Sequence, residues 1–162
     1  MRRIEMPIII TEFDHTEELS LEEQDLVARS RRMTNQAYAP YSEFFVGAAV
    51  LLENGEVIKG SNQENAAYPS GLCAERVAIF SASALYPGVK VRKIAISARS
   101  SLHPMDHPVT PCGACRQVLL EYEFKQQEPI RVILSGETGK IYSIDKVQDL
   151  LPLSFTPDEL TG

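Results

Sequence analysis

Three cysteines and one acid are the residues of this chain whose types and spacing point to chemistry. Cys73 opens the run Cys73-Ala74-Glu75-Arg76, and the other two cysteines lie in Pro111-Cys112-Gly113-Ala114-Cys115. Three thiolates can hold one Zn²⁺ per chain and leave a tetrahedral position open, the arrangement of a catalytic rather than a structural site. A carboxylate close to that position, but not bound to the metal, can move protons for a metal-activated water. Glu75, two residues past Cys73, is placed to be that carboxylate. A purely structural zinc site would call for a fourth Cys or His. His103 and His107, in the loop before Cys112, are the candidates for that role; we read them instead as loop, packing or pocket-rim residues. A Cys-x-x-Cys pair also suits redox exchange. Here, however, a third cysteine keeps it company, and Pro111 stands where an aromatic is expected before such a pair.

The spacing also predicts how these groups are presented. Cys73 and Cys112 each stand at the start of a predicted helix, and Cys115 follows one turn later on the same side as Cys112. A helix N-terminus favours an anion and lowers a thiol pKa. Three thiolates and Zn²⁺ sum to a net negative charge, which opposes ionising a bound water. The two helix ends offset part of it, and Arg76 can offset more by donating hydrogen bonds to sulfur. Glu75 is turned by roughly 200° from Cys73 on an ideal helix. It need not bind the metal, yet it can reach the open position from the first turn.

Around these segments the chain reads as one domain with an extension. Residues 1–19 form an N-terminal extension and residues 20–162 a single catalytic domain. Pro7–Ile10 suits an edge strand or a strip packed on a neighbour, and Thr11–Glu18 suits exposed surface. Ser20 and Glu23 form a capping box, followed by a helix to about Ala37 with Leu26, Val27, Met33 and Ala37 on one face; Pro40 ends it. Phe45–Leu52 and Val57–Ser61 form a hairpin about Asn54-Gly55. The polar stretch Asn62–Gly71 then lines a site. A helix over Leu72–Leu85 carries stripes Val77/Phe80/Ala84 and Ala74/Ala78/Ala82. Further strands are predicted at Val91–Ala98, Ile130–Leu134 and Lys140–Ile144, with a helix over Cys112–Phe124 entered through Pro111 and a short one from Asp145 to Leu151. Helix-flanked strands imply an α/β fold, a three-layer α/β/α sandwich about a mixed five-stranded sheet. The strand–helix–strand units call for parallel pairing.

The bulk numbers exclude some classes of function. A net charge of −6 with only 16 Lys and Arg argues against binding nucleic acid polymers. No run approaches the roughly 20 apolar residues of a membrane span, and no signal segment is evident. An odd number of cysteines makes a disulfide framework improbable and suits a reducing, cytoplasmic setting.

Cys-x-Glu followed by Pro-Cys-x-x-Cys is the pattern of the zinc deaminases, with Cys as the first ligand. Four motifs sharpen this: Tyr41-Ser42-Glu43-Phe44-Phe45-Val46-Gly47, Asn62-Gln63-Glu64-Asn65-Ala66-Ala67-Tyr68, Cys73-Ala74-Glu75-Arg76 and Pro111-Cys112-Gly113-Ala114-Cys115-Arg116-Gln117. Together they resemble the short-chain, homotetrameric cytidine deaminases, in register from about Glu22 to Leu160. The resemblance implies Cys73, Cys112 and Cys115 as zinc ligands, Glu75 as the acid/base, and Asn62 and Glu64 as holders of the ribose hydroxyls. It implies Phe44 packed on the base, the backbone around Ala74 facing the amino group, and Arg76 tempering the thiolate charge. It further implies Phe155, from Leu151-Pro152-Leu153-Ser154-Phe155, reaching a neighbour's site, and Tyr68 in a segment facing a neighbour's pocket. The extension and the long loop with His103 and His107 depart from the family pattern.

The function expected is hydrolytic deamination of cytidine and 2′-deoxycytidine with release of ammonia, within pyrimidine salvage. Its rivals are a deaminase of a cytosine-nucleoside antibiotic of the blasticidin S kind, a polynucleotide editor, and a zinc or redox module without catalysis. Asn62-Gln63-Glu64-Asn65 favours ribose recognition over the first, and the acidic balance disfavours the second.

Overall fold

The computed structural model describes residues 1–161. Its strands are β1 (Thr11–Phe13), β2 (Phe44–Leu52), β3 (Val57–Ser61), β4 (Val91–Ser100), β5 (Arg131–Ser135) and β6 (Ile141–Ile144), and its helices are α1 (Leu21–Met33), α2 (Ala74–Leu85), α3 (Gly113–Gln126) and the short α4 (Asp158–Thr161). The strands form one mixed sheet in the order β1-β6-β5-β4-β2-β3. β4 and β5 run parallel, joined through α3, while the other neighbours are antiparallel.

Two apolar faces follow from strand alternation, because successive side chains point to opposite sides. On one side Ala48, Val50 and Leu52 of β2, Ile94 and Ile96 of β4, and Val132 and Leu134 of β5 meet α2 and α3. On the other, Ala49, Leu51, Ala95 and Ile133 meet Leu26 and Val27 of α1. The result is helix, sheet, helix, the three-layer arrangement expected from the order of elements.

The sheet has six strands, not five. The additional one comes from the extension, and it is Thr11–Phe13 rather than Pro7–Ile10. Thr11 lies opposite Ser143 and Phe13 opposite Ile141. Phe13 and Leu19 pack on the α1-side core. The apolar run Pro7–Ile10 belongs to no element and is exposed, because pairing rather than hydrophobicity selects the edge strand.

Other boundaries shift for local reasons. α1 carries the expected capping box, Glu23 N–H donating to Ser20 Oγ and Ser20 N–H to Glu23. It ends at Met33 and tightens into a 3₁₀ turn over Thr34–Gln36, short of Ala37. Tyr38 is drawn away to bond with Asn62 and Glu64. β4 runs on to Ser100 because Phe44 and Phe45 pair with Ser100 and Arg99. In α2 the alanine stripe faces the sheet, with Ala74, Ala78 and Ala82 buried, whereas Phe80 is exposed on the outer stripe. The predicted helix from Asp145 is a 3₁₀ turn over Val147–Leu150. Among the described residues, no helix is long and apolar enough to cross a membrane.

Close approach of α2 to β3 sets where the first cysteine goes. A Cβ placed on Gly60 of β3 would stand 2.6 Å from both Ala74 O and Ala78 N. The small residues of both elements therefore seat the N-terminus of α2 against the sheet.

Candidate active site

The cysteines converge as the helix starts predict. Cys73 is the N-cap of α2 and Cys112 the N-cap of α3, both with extended backbone and neither using its side chain as a cap. Free of capping duty, their sulfurs meet beside two helix ends whose first N–H groups carry partial positive charge. Cys115, in the first turn of α3, is buried, Cys73 is half-buried and Cys112 is exposed. The three Sγ atoms lie within 4.8 Å of one another, and Cys73 and Cys112 are 3.9 Å apart. A tetrahedral zinc with bonds of about 2.3 Å separates its sulfur ligands by about 3.8 Å. The residues present therefore fit the metal. Among the described residues, this is the only cluster of at least three metal-ligating groups. His103 and His107 lie outside it, and His107 instead approaches Asp106 at 3.2 Å.

Electrostatics within the cluster support a divalent cation. The Cys73 thiol is lowered to about 5 by hydrogen bonding with Cys115, and further by Arg76 and Cys112, against the effect of burial. The Cys115 thiol is pushed up by the same contact with Cys73, by burial and by the negative charges of Glu75, Cys73 and Cys112. Ionising one sulfur thus suppresses ionisation of the next, a conflict that a bound metal ion relieves.

Glu75 is the second residue of α2 and only 4% exposed. Burial raises its pKa, and the charge of Cys73 adds to the effect; its own backbone N–H, Cys115 and Arg76 pull the other way. Its Oε2 is buried without a hydrogen-bond partner. Buried polar atoms are nearly always satisfied, so an orphaned carboxylate oxygen marks a position kept for a ligand or a reacting group.

Arg76 reaches the cluster, with Nη2 3.8 Å from Cys73 Sγ. Hydrogen bonds to metal ligands typically alter affinity or activity by about 10–100-fold. Arg76→Ala is expected to lower zinc retention under chelator competition, or turnover, by about that factor. Unchanged values of both would remove Arg76 from the site.

A cleft of about 480 Å³ opens beside Cys73 and Arg76 and is walled by Tyr41, Asn62, Glu64 and Tyr68. Its polar stretch is pinned by short ladders: Gln63 exchanges backbone hydrogen bonds with Leu72, and Tyr38 bonds with Asn62 and Glu64. Asn62 Oδ1 accepts from Val46 N–H at 2.7 Å, and its Nδ2 donates to Phe44 O at 2.9 Å. Glu64 accepts from Tyr41 N–H at 2.8 Å, Ser42 N–H at 3.3 Å and Ser42 Oγ. These bonds hold its carboxylate below its ordinary pKa, against partial desolvation. Each side chain keeps spare capacity, one N–H on Asn62 and lone pairs on both.

The remaining candidates are placed differently. Tyr68 lines its own chain's cleft, edge-on to Tyr41 with ring centroids 5.8 Å apart. Phe44 starts β2 and does not line the cleft, although its carbonyl is bound by Asn62. Ala74 is fully buried behind Cys73. Phe155 is exposed, its carbonyl accepting from Gln117 Nε2 at 2.9 Å, and it is not part of this cleft.

Arg116 carries a positioning role that the sequence reading did not assign. Its Nε donates to Pro111 O at 2.8 Å and its Nη1 to Leu150 O at 3.0 Å. It thereby ties the residue before Cys112 to the turn over Val147–Leu150. The available signal was a forked donor directly after Cys115; its acceptors are backbone carbonyls, which sequence does not mark. Glu123 was missed likewise: it is buried, accepting from the N–H groups of Ile130, Val147 and Gln148 at 2.7–3.0 Å.

Known proteins resemble this chain in sequence and in fold. Residues 21–127 match the family model for the cytidine and deoxycytidylate deaminase zinc-binding region. A cytidine deaminase of Sporosarcina psychrophila is 39% identical over 85% of this chain and 94% of its own length. One from Halalkalibacterium halodurans is also 39% identical, over 86% and 98%. Among solved structures, cytidine deaminase from Burkholderia pseudomallei superposes with a TM-score of 0.70 at 38% identity, covering 81% of this chain and 97% of that one. The matched residues include both cysteine segments and strands β2, β3 and β4, so the chain belongs to the zinc-binding cytidine and deoxycytidylate deaminase family and is a hydrolase.

Proposed function

We propose that this protein hydrolyses cytidine and 2′-deoxycytidine to the corresponding uridines and ammonia. The observation that carries the reading is Glu75 Oε2, buried and unpartnered next to three converged sulfurs and a nucleoside-sized cleft. Zinc held by Cys73, Cys112 and Cys115 supplies the Lewis acidity that makes water a nucleophile near neutral pH. Glu75 accepts one proton from the attacking water and passes it to N3 of the pyrimidine. It then carries the second to the departing amine. The oxygen remains on C4, N3 keeps its hydrogen, and ammonia leaves, so atoms and charge balance. The raised pKa of Glu75 suits it to both accepting and giving a proton.

Asn62 and Glu64 hold the sugar with the donor and acceptor capacity left over from their loop contacts. Tyr68 walls the cleft that receives the substrate, and Arg76 tempers the charge on sulfur. A site built to bond a hydroxyl discriminates strongly against an analogue lacking it, by up to about 10⁴–10⁵-fold. Free cytosine is therefore expected to be turned over at least about a hundredfold less efficiently than cytidine. Absorbance assays at matched concentrations test this, and comparable kcat/KM for the two would overturn the sugar assignment. The same assay on the purified protein tests the activity itself: no loss of cytidine by zinc-loaded protein would refute it.

The proposed setting is cytoplasmic pyrimidine salvage, with residues 20–162 as the catalytic domain and the active form a homotetramer with shared sites. Three thiols without a disulfide support a reducing compartment. The exposed Phe80, Leu85, Leu153 and Phe155 support burial of the outer α2 face and the C-terminal segment against further copies.

A further inference from the structure

On the opposite face of the sheet, under the end of α1, lies a second cleft of about 230 Å³. It lies against the last residues of β4 and just past the end of β5, the parallel pair. Arg31 enters from α1 and Arg99 from β4, with Thr34, Asn35 and Ser97 between them. Strand alternation puts Arg99 on this side: Ala95 belongs to the α1-side core, and Ser97 and Arg99 follow it at steps of two. The polar floor continues inward as a chain of buried hydroxyls, Ser30 to Ser97 at 2.6 Å and Ser97 to Ser135 at 2.7 Å.

Both guanidinium groups are held without a carboxylate. Arg99 stacks on Phe45, its cross-strand partner, 4.0 Å from the ring centroid, and its Nε is buried with no hydrogen-bond partner. Arg31 donates from Nε to Gly136 O at 3.2 Å and from Nη1 to Thr16 Oγ1 at 3.4 Å, both neutral acceptors. Burial lowers its pKa, partly opposed by the charge of Glu17. One acid, Glu137, lines the cleft, and it accepts from Met105 N–H at 3.5 Å. Two guanidinium groups against this one carboxylate leave the lining positive in a chain of net charge −6.

We propose that this cleft binds a phosphate group, bridged between Arg31 and Arg99. Two separate guanidinium forks call for more acceptor oxygens than one carboxylate supplies, and phosphate meets that geometry. The site is independent of the zinc centre and of the deaminase reading, since it lies across the sheet from the cysteines.

Calorimetric titration of the full, zinc-loaded chain with inorganic phosphate, and separately with a pentose 5-phosphate, tests the proposal at constant ionic strength. Saturable binding of at least one is expected. Arg99→Ala and Arg31→Ala should each weaken it by about tenfold or more. Arg99→Lys should fall between, keeping charge but losing the fork. Arg32→Ala, an exposed neighbour on α1, should leave it unchanged. Tighter binding of the pentose phosphate identifies a phosphomonoester as the ligand, and equal or tighter binding of inorganic phosphate identifies the free anion. Phosphate stabilises many proteins by exclusion from their surface. A thermal shift of equal size in the parent and in Arg99→Ala therefore overturns the proposal, as does the absence of saturable heat with both ligands. Should Arg99→Ala lose its fold by circular dichroism, equal affinities in the parent and Arg99→Lys overturn it instead.

Discussion

Glu75→Gln is expected to keep the full zinc content while lowering kcat for cytidine by about 10²–10⁴-fold, the usual contribution of a positioned acid/base group. The reasoning is geometric first. The carboxylate is buried at the start of α2, close enough for the charge of Cys73 and a hydrogen bond with Cys115 to act on it, and its Oε2 has no hydrogen-bond partner. Glutamine fills the same volume but cannot exchange the proton. The substitution should also leave the fold intact. Burial raises the Glu75 pKa above its unfolded value of 4.5. The folded chain therefore holds this proton more tightly than the unfolded chain, and the group opposes folding increasingly as pH rises above the unfolded pKa. Removing the ionisable group relieves that. The melting temperature of metal-free Glu75→Gln at neutral pH should equal or exceed the parent's, and the difference should disappear in acid. Zinc analysis, single-turnover kinetics and thermal melts on one preparation settle the matter. Residual activity within tenfold of the parent would rule Glu75 out as the proton carrier.

Cys115→Ala is expected to abolish stoichiometric zinc binding and reduce deamination to background. This sulfur is the buried member of the cluster and contacts Cys73 directly. Without it, two sulfurs from separate helix ends remain, one of them exposed. Two thiolates make a poor site for a metal that prefers four ligands, and catalytic zinc sites keep three from protein. Removing zinc from the parent with a chelator should give the same loss, reversed on adding the metal back. The variant should not recover with added zinc. The cavity left in place of one sulfur is small, so far-ultraviolet circular dichroism should be nearly unchanged. Stoichiometric zinc in Cys115→Ala, or activity in the chelated parent, would contradict the assignment.

How much of this was legible beforehand depends on whether the information is local. Cys73 and Cys112 stand at helix starts because of their immediate neighbours, and the capping box at Ser20 and the hairpin at Asn54-Gly55 are short-range signals as well. Those readings carried into the structure with small shifts of boundary. Long-range pairing was harder. Thr11–Phe13 is polar and short, and nothing in it announces that β6 would take it as an edge strand in preference to Pro7–Ile10. The outward turn of Phe80 was equally hidden, because α2 carries two small-residue or apolar stripes and only contact with β3 at Gly60 selects between them. Arg116 and Glu123 bind backbone groups from distant segments, and such acceptors are the same at every residue.

Residue order already pointed to the reaction class: three thiols and one acid, in that order and spacing, suit a metal-activated hydrolysis, and the four motifs favour it over a redox pair or a structural zinc site. It also determined the layers, since strand alternation and helix stripes follow from residue order. Tertiary structure alone decided which groups are spent and which are free. Asn62 and Glu64 turn much of their hydrogen-bonding capacity inward to hold the loop, Glu75 is left with an unpaired oxygen, and Arg31 and Arg99 line one cleft from α1 and β4 without a hydrogen bond to a carboxylate. Those outcomes depend on contacts between residues tens of positions apart, where burial and geometry, not the identity of neighbours along the chain, set the balance of charge and hydrogen bonds.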